Sequence, residues 1–324
     1  MRNFLAFAMV LLMGAVVSRP AQAETWNFPS GYPDNNFHTQ TLRWFADEVS
    51  KRSNGELDFA IHSGASMFKM PELKRAVRTG QVPIAEFILS AYGNEDALYE
   101  ADSVPFLAVG QEQAKKLYEL QKPMLDERLG KEGLVILYSV PWPANSLYTQ
   151  TPVTTVADLK GMKMRGQTPI VARLVELSGA VPVNVQFVEV PQAFQTGVVT
   201  GMFTSGTTGV NTQAWDYTKY YYDTAGYSPK DAVVVNKQSW DALSPELQAI
   251  MREVAAEAEE RGWAAARALE VDARTTLAEN GIEVIDPSPE LMAEFQKIGD
   301  QMIAEWVERA GEDGKKLVDQ MRAQ

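Results

Sequence analysis

The chain has 324 residues, with no cysteine, two histidines and 42 acidic against 30 basic side chains, for a formal charge of −12. The lack of cysteine excludes disulfides, thiolate metal sites and cysteine nucleophiles. The acidic charge argues against a nucleic-acid partner, because the phosphate backbone carries the same sign.

The first 23 residues predict a secretory signal peptide. Arg2 gives a positive start, Phe4 to Val17 form an apolar run, and Ala21-Gln22-Ala23 offers the small residues that a signal peptidase needs. The run has fourteen residues, fewer than the roughly 20 that span a bilayer. We therefore expect cleavage after Ala23 and a mature protein in the periplasm, a location that suits a large α/β protein without cysteine.

Strands and amphipathic helices alternate through the mature chain, which favours α/β layers with mostly parallel sheets. The boundaries follow from apolar spacing and from Gly, Pro and Asn stop signals. In chain order the predicted elements are a strand at 25–28, a turn at 29–33, a helix at 37–53, strands at 57–61 and 84–89 around a helix at 71–80, a helix at 111–130, a strand at 134–138, a short helix at 156–159, a strand at 162–165 and a helix at 169–178.

The longest helical pattern follows the cap Ser244-Pro245-Glu246 and covers 247–280. A helix of ~34 residues spans ~50 Å, more than one compact lobe, so it is expected to cross between two. The alternative is a pair of ordinary helices broken at Gly262. Two acidic helices, at 289–309 and 313–321, complete the predicted elements.

Enzyme motifs are weak in this sequence. His38 and His62 are far apart and belong to no spaced set of metal ligands, and surface or capping roles account for both. There is no Gly-x-Ser-x-Gly elbow, and the Gly206–Gly209 segment lacks the lysine of a phosphate-binding loop. We expect no catalytic residue, metal or cofactor, although a secreted hydrolase stays as an alternative.

Arg165 is the best candidate for ligand binding on position alone. It ends a predicted strand just before the loop that opens the helix at Pro169. Ligands of two-lobed α/β proteins bind in the crevice outside such strand ends, and a guanidinium matches a carboxylate with two parallel hydrogen bonds. The alternative is a surface arginine paired with a nearby acid.

Six motifs along the mature chain carry a family resemblance. They are Phe45-Ala46 with Val49 and Asn54-Gly55, Gly80-Gln81-Val82, Val104-Pro105-Phe106-Leu107, Asp158-Leu159-Lys160-Gly161-Met162-Lys163-Met164-Arg165, Ala193-Phe194-Gln195-Thr196-Gly197-Val198-Val199 and Trp240-Asp241-Ala242-Leu243-Ser244-Pro245-Glu246. In this order they resemble the substrate-binding proteins of tripartite ATP-independent periplasmic (TRAP) transporters, the DctP-like family.

The resemblance implies a two-lobed periplasmic binding protein fold, of class α/β, with crossing strands and a long interdomain helix. Lobe I would comprise 24–147 plus 236–275, and lobe II 148–235 plus 276–324. The family arginine that clamps a substrate carboxylate falls on Arg165. The expected partners are a small organic acid and the small and large membrane subunits of the transporter, with a monomer and a homodimer both left open.

Departures from the family pattern bear on the ligand. Asn145 stands where sialic-acid binders carry a second arginine, and Thr204 or Ser205 stands where many members carry an amide, while the family aromatic is kept as Phe187. The other expected walls are apolar: Phe68, Ile88, Trp142, Tyr32 and Phe37. These features predict a monocarboxylate with an aromatic or apolar body; a dicarboxylate, a sugar acid and a ligand-presenting sensor module remain alternatives.

Overall fold

The computed structural model describes residues 24–323. The predicted signal peptide lies outside these residues, so its cleavage site stays a prediction. The strands are β1 (Glu24–Pro29), β2 (Leu57–His62), β3 (Ile84–Ile88), β4 (Leu134–Pro141), β5 (Asn145–Thr149), β6 (Lys163–Arg165), β7 (Val181–Val183), β8 (Gly201–Ser205), β9 (Tyr220–Tyr227), β10 (Lys230–Asn236) and β11 (Glu283–Ile285). The helices are α1 (Phe37–Arg52), α2 (Leu73–Arg78), α3 (Gly110–Lys131), α4 (Pro169–Leu177), α5 (Val190–Gln195), α6 (Gly206–Asn211), α7 (Lys237–Ala242), α8 (Pro245–Glu279) and α9 (Pro289–Arg322).

Two larger sheets form the centres of two lobes. The first has the order β3-β10-β4, and the second has the order β11-β9-β5-β8-β6-β7; β1 and β2 form a separate parallel pair beside the first. The expectation of mostly parallel sheets is wrong, because β10 runs antiparallel to both of its neighbours and β5 runs antiparallel to β8 and β9. The two-lobed α/β architecture itself is confirmed.

Two segments that connect strands of the two larger sheets cross from one lobe to the other. One crossing joins β4 to β5, and the other joins β9 to β10; the amide of Trp142 in the first donates to the carbonyl of Pro229 in the second at 2.8 Å. The predicted lobe division stays a prediction, and the sheet pairing differs from it at two strands. Residues 145–147 were expected in lobe I, whereas β5 pairs with β8 and β9 in the second sheet. Residues 230–235 were expected in lobe II, whereas β10 pairs with β3 and β4 in the first sheet.

Helix α8 is continuous over 35 residues and contacts α1 and β4 in the first lobe and α6 and β11 in the second. Ser244 caps it by accepting from the amide of Leu247 at 3.1 Å. Gly262 does not break it: a Cβ at this position would lie 2.4 Å from Cγ2 of Val140, so glycine allows the helix to approach β4 closely.

The last helical segment, α9, is interrupted at Gly311, whose backbone angles are φ 63° and ψ −143°. This position agrees with the predicted break between 309 and 313. The two lobes have separate cores, and Trp306 is among the largest fully buried side chains of the second. Trp263 of α8 packs in a small separate cluster with Ala114 and Tyr118. Within residues 24–323, no helix combines the length and apolar character that crossing a membrane requires.

Candidate functional site

A cleft of ≈ 660 Å³ lies between the two lobes, a volume typical of small-molecule sites. Its walls come from both lobes, and the crossing segments contribute to its floor. Seven of the ten residues singled out from the sequence line it: Tyr32, Ile88, Trp142, Asn145, Arg165, Phe187 and Thr204.

Arg165 ends β6 inside this cleft and is only 4% exposed. Its Nε donates to the backbone carbonyl of Val185 at 2.8 Å. Among the hydrogen bonds and ion pairs of residues 24–323, none engages its two Nη groups and none joins it to a carboxylate. Burial lowers the pKa of Arg165 to about 10, with nearby tyrosines and Glu189 acting in the opposite direction, so the guanidinium is still protonated at neutral pH. The arrangement is a buried cation that lacks an anion.

The edge of the second sheet brings polar side chains to this cation. Strand β8 lies between β6 and β5, with Arg165 opposite Met202 in one pairing and Ser146 opposite Thr204 in the other. Because β5 is antiparallel to β8, its first residue, Asn145, lies at the same edge as the last residues of β6 and β8. This is the carboxyl edge of the parallel strands, where open α/β sheets bind ligands.

Aromatic rings form the opposite wall and meet across the lobes. Tyr32 and Trp142 contact each other edge to face, with ring centroids 5.1 Å apart. Phe187, from the second lobe, approaches Tyr32 at 5.4 Å and Trp142 at 6.1 Å. Such pairs add stabilisation beyond burial, and here they hold an apolar surface facing the guanidinium.

The structure does not bring the other three predicted residues to the cleft lining. Phe37 packs behind Trp142, with ring centroids 5.4 Å apart, and lines a separate cavity of ≈ 250 Å³. Phe68 is partly buried against the first core. Ser205 is fully buried and caps α6, accepting from the amide of Thr208 at 3.1 Å.

Several cleft residues were missed by sequence reasoning. Gln167 and Thr168 follow Arg165 directly, and Gln167 Oε1 and Thr168 Oγ1 are buried without a hydrogen-bond partner within residues 24–323. The signal was available, because both residues lie in the loop between the Arg165 strand and the helix that begins at Pro169. Asn184, Gln186 and Thr208 also line the cleft, and their approach depends on long-range packing that the sequence does not display.

The expectation of a surface or capping role is wrong for the side chain of His38. It is fully buried in the first lobe, between Glu86 and Asp231, and only its backbone amide takes part in the cap of α1, donating to Asn36 at 2.9 Å. His62 is half-buried and hydrogen bonds to Asn27 at 2.9 Å. Within residues 24–323, no group of three His, Asp or Glu side chains is arranged to hold a metal ion.

Comparison with known proteins identifies relatives of the whole fold. Residues 29–310 match the family model DctP, described as bacterial extracellular solute-binding protein, family 7. The structure is similar to DctP7, a Bordetella pertussis extracytoplasmic solute receptor binding pyroglutamic acid, with 44% identity, a TM-score of 0.91 and coverage of 93% of this chain and 100% of that one.

Two further relatives extend the comparison. A marine metagenome TRAP solute-binding protein specific for pyroglutamate is 34% identical, with a TM-score of 0.91 and coverage of 94% of this chain and 100% of that one. The C4-dicarboxylate-binding periplasmic protein DctP of Rhodobacter capsulatus is 30% identical over 66% of this chain and 65% of its own length. Since the family model spans most of its residues, this chain belongs to the DctP family of bacterial extracellular solute-binding proteins and is a TRAP-type periplasmic solute receptor.

Proposed function

We propose that this receptor binds a small monocarboxylate in the interlobe cleft, with the ligand carboxylate on the guanidinium of Arg165, and that pyroglutamate is the best candidate ligand. The observation that carries the proposal is the state of Arg165, which is buried and has no acidic partner among the described residues. A buried charge without a counter-ion is costly. A carboxylate that accepts from both Nη groups removes that cost and adds two charge-assisted hydrogen bonds.

The choice of pyroglutamate is supported by the relatives and by the walls of the cleft. The Bordetella pertussis receptors DctP7 and DctP6, 44% and 40% identical, and the marine protein, 34% identical, all bind it. Pyroglutamate has one carboxylate on a compact five-membered lactam ring. The ring faces suit the aromatic wall, while the lactam N–H and C=O suit the polar atoms of Gln167, Thr168 and Asn145.

The sequence predicted a single carboxylate, and the charges around the cleft favour it. Of the lining residues, Arg165 and Lys69 are the basic ones, and Lys69 is exposed at the rim. A C4-dicarboxylate, which the Rhodobacter capsulatus relative binds, would have to place its second carboxylate near Lys69. Sugar acids lack the apolar ring that the wall of Tyr32, Trp142 and Phe187 accommodates.

The membrane partners follow from the family role. The receptor would be exported after cleavage behind Ala23, close around its ligand and deliver it to the small and large membrane subunits of the transporter, as a monomer or a homodimer. A sensor that presents ligand to a membrane receptor is the remaining alternative. Loss of pyroglutamate uptake on deletion of the gene, restored by the wild-type gene, distinguishes transport from sensing.

A thermal-shift screen of the purified protein tests the ligand class. The panel comprises pyroglutamate, 2-oxo monocarboxylates, aromatic acids, C4-dicarboxylates and hexuronates. A ligand at about 100 times its dissociation constant adds ~2.7 kcal/mol to the free energy of unfolding, which gives a clear shift. We expect pyroglutamate to give the largest shift; stabilisation by dicarboxylates or hexuronates alone would contradict the proposed ligand class.

A further inference from the structure

A buried cluster of titratable side chains lies directly behind the aromatic wall of the cleft. It consists of Asp231 on β10, Glu86 on β3 and His38 on α1, all of which are buried. His38 Nε2 is 3.5 Å from Asp231 Oδ2, and His38 Nδ1 is 3.8 Å from Glu86 Oε1. Within residues 24–323 neither carboxyl has a Lys or Arg within ion-pair distance. Two acids buried without a basic counter-ion of this kind are costly to the fold.

Asp231 connects this cluster to the ligand site through two hydrogen bonds. The Tyr32 hydroxyl donates to Asp231 Oδ1 at 2.9 Å, and the Trp142 indole N–H donates to Oδ2 at 2.5 Å. Tyr32 lies in the loop before α1, and Trp142 lies in the crossing segment after β4, so no secondary structure orients the two rings relative to each other. A single carboxylate fixes the polar ends of both.

The second acid of the cluster, Glu86, lies beside Asp231 on the same sheet and has its own hydrogen-bond donor. The register pairs Asp231 with Ile88 and Val233 with Glu86, so the two acids occupy diagonal positions on one face of the sheet. The Ser30 hydroxyl donates to Glu86 at 2.6 Å, whereas the side-chain hydrogen bonds to Asp231 within residues 24–323 come from Tyr32 and Trp142.

We propose that Asp231 is a positioning residue of the ligand site, which sets the angle of the Tyr32 and Trp142 rings through its two hydrogen bonds without contacting the ligand. This inference rests on the proposed function, because it assigns a role in shaping the cleft for a ligand. It extends that function by placing a specificity determinant in the core of the first lobe, outside the cleft lining.

Burial shifts the pKa values of all three members of the cluster. Burial raises the pKa of Asp231 to about 7, opposed by the hydrogen bonds from Trp142 and Tyr32. Burial likewise raises the pKa of Glu86 and lowers that of His38. The titratable and charged groups around the cluster are Tyr32, Tyr92, Tyr138, Asp102 and Lys230, the last two paired with each other at 3.0 Å. Around neutral pH the strength of the Asp231 acceptor therefore changes with its protonation.

Calorimetric titration with pyroglutamate gives the first test. Asp231→Ala removes the acceptor that orients both rings and is expected to weaken pyroglutamate binding about tenfold or more. Asp231→Asn is expected to stay within about threefold of wild type, because its amide oxygen accepts from Trp142 and its NH₂ donates to the Tyr32 oxygen. The control Asp241→Ala, at an exposed acid paired with Lys237, is expected to leave affinity unchanged.

Proton NMR of the ligand-free protein with ¹⁵N-labelled tryptophan gives the second test. The indole resonance of Trp142, identified by its loss in Trp142→Phe, is expected to move with pH around a midpoint near 7 in wild type. It should lose that titration in Asp231→Asn and move upfield in Asp231→Ala. The wild-type titration reports the protonation of Asp231 through its hydrogen bond to the indole, and the upfield shift in Asp231→Ala reports the loss of that bond.

The outcomes separate this inference from the proposed function. Wild-type affinity in Asp231→Ala, or equal losses in a folded Asp231→Asn and Asp231→Ala, would overturn the positioning role and leave the ligand assignment intact. If Asp231→Ala does not fold, the Asn variant and the wild-type indole titration decide. If the wild-type protein does not bind pyroglutamate, the proposed ligand fails, and an indole resonance at the same position in wild type and Asp231→Ala would overturn the positioning role separately.

Discussion

The two walls of the cleft differ in whether their polar groups point toward the core or line the cleft. The first-lobe wall is apolar toward the ligand and polar behind, since Tyr32 and Trp142 turn their hydrogen-bonding ends toward Asp231 in the core. The second-lobe wall is polar toward the ligand: Arg165 lines the cleft, and the hydrogen bond that its side chain makes within residues 24–323 runs from Nε to the Val185 carbonyl. The polar ends of the first-lobe wall have their hydrogen-bond partner within the protein. The guanidinium of the second-lobe wall has no anionic partner within residues 24–323.

This difference assigns separate tasks to the lobes. The second lobe supplies the electrostatic attraction that an acidic protein needs to hold an organic anion, and the first supplies the shape that selects among anions. The lobes meet at Phe187, which contacts Tyr32, and at a hydrogen bond from Asn36 Nδ2 to Asn211 Oδ1 of 2.9 Å. Substitutions on either side should therefore have different signatures.

The largest effect on affinity is expected from a substitution in the second-lobe wall. Arg165→Ala would leave the ligand carboxylate buried without a partner, which costs ~3–5 kcal/mol, or roughly a hundred- to several-thousand-fold in affinity. Calorimetric titration with pyroglutamate measures it, and thermal unfolding should show a folded protein. Arg173→Ala is the matched control, since Arg173 is half-exposed and pairs with Glu305 at 2.8 Å. Wild-type affinity in Arg165→Ala would contradict the clamp.

The second prediction concerns the acid behind the first-lobe wall. Because the pKa of Asp231 is raised to about 7 in the folded state, the folded protein holds a proton that the unfolded chain releases above about pH 4. Wild type thus loses ~1.4 kcal/mol per pH unit at this group between pH 4 and 7. Asp231→Asn should gain stability relative to wild type over that window. Urea unfolding at several pH values measures it, and a pH-independent difference would contradict the raised pKa.

A smaller effect is expected where the walls meet. Phe187→Ala removes the edge-to-face contacts with Tyr32 and Trp142, each worth ~0.5–1.5 kcal/mol beyond burial. Affinity for pyroglutamate should fall roughly tenfold, mainly through faster dissociation, which stopped-flow fluorescence resolves. Val198→Ala, an exposed truncation on the same lobe, is the control. An unchanged dissociation rate in Phe187→Ala would mean that this ring does not close over the ligand.

The smallest effect is expected at the lobe junction, where Asn36 of the first lobe meets Asn211 of the second. Asn211→Ala removes the acceptor of the Asn36 side chain without touching the cap that Asn36 provides to α1. A neutral hydrogen bond contributes ~0.5–1.5 kcal/mol, so affinity should fall about threefold to tenfold. Asn280→Ala, at the exposed end of α8, should leave affinity unchanged. Equal effects of Asn211→Ala and Asn280→Ala on affinity would show that the hydrogen bond between the lobes does not contribute to ligand binding.

The sequence predicted local features well where the signal was local. Helix α8 was expected at 247–280 and is found at Pro245–Glu279, because its cap, its length and its apolar pattern all lie within the helix. The strand end at Arg165 was predicted for the same reason. The antiparallel pairing of β10 was missed, since the sequence of a strand does not reveal which distant segments it will pair with.

The direction of side chains was the main limit at the site. Tyr32, Phe37 and Phe68 are all aromatic, yet of these three only Tyr32 lines the cleft. Its hydroxyl meets Asp231, 199 residues away. Composition identifies rings that prefer burial but cannot tell a cleft wall from a core. Asp231 carries no local motif, so only the fold reveals its contact with the wall.

A crystal structure of the protein with pyroglutamate tests the central claim most directly. We expect the ligand carboxylate within hydrogen-bond distance of both Nη groups of Arg165, with the lactam ring against Tyr32, Trp142 and Phe187. A ligand whose carboxylate binds elsewhere in the cleft, with Arg165 still unpaired, would contradict it.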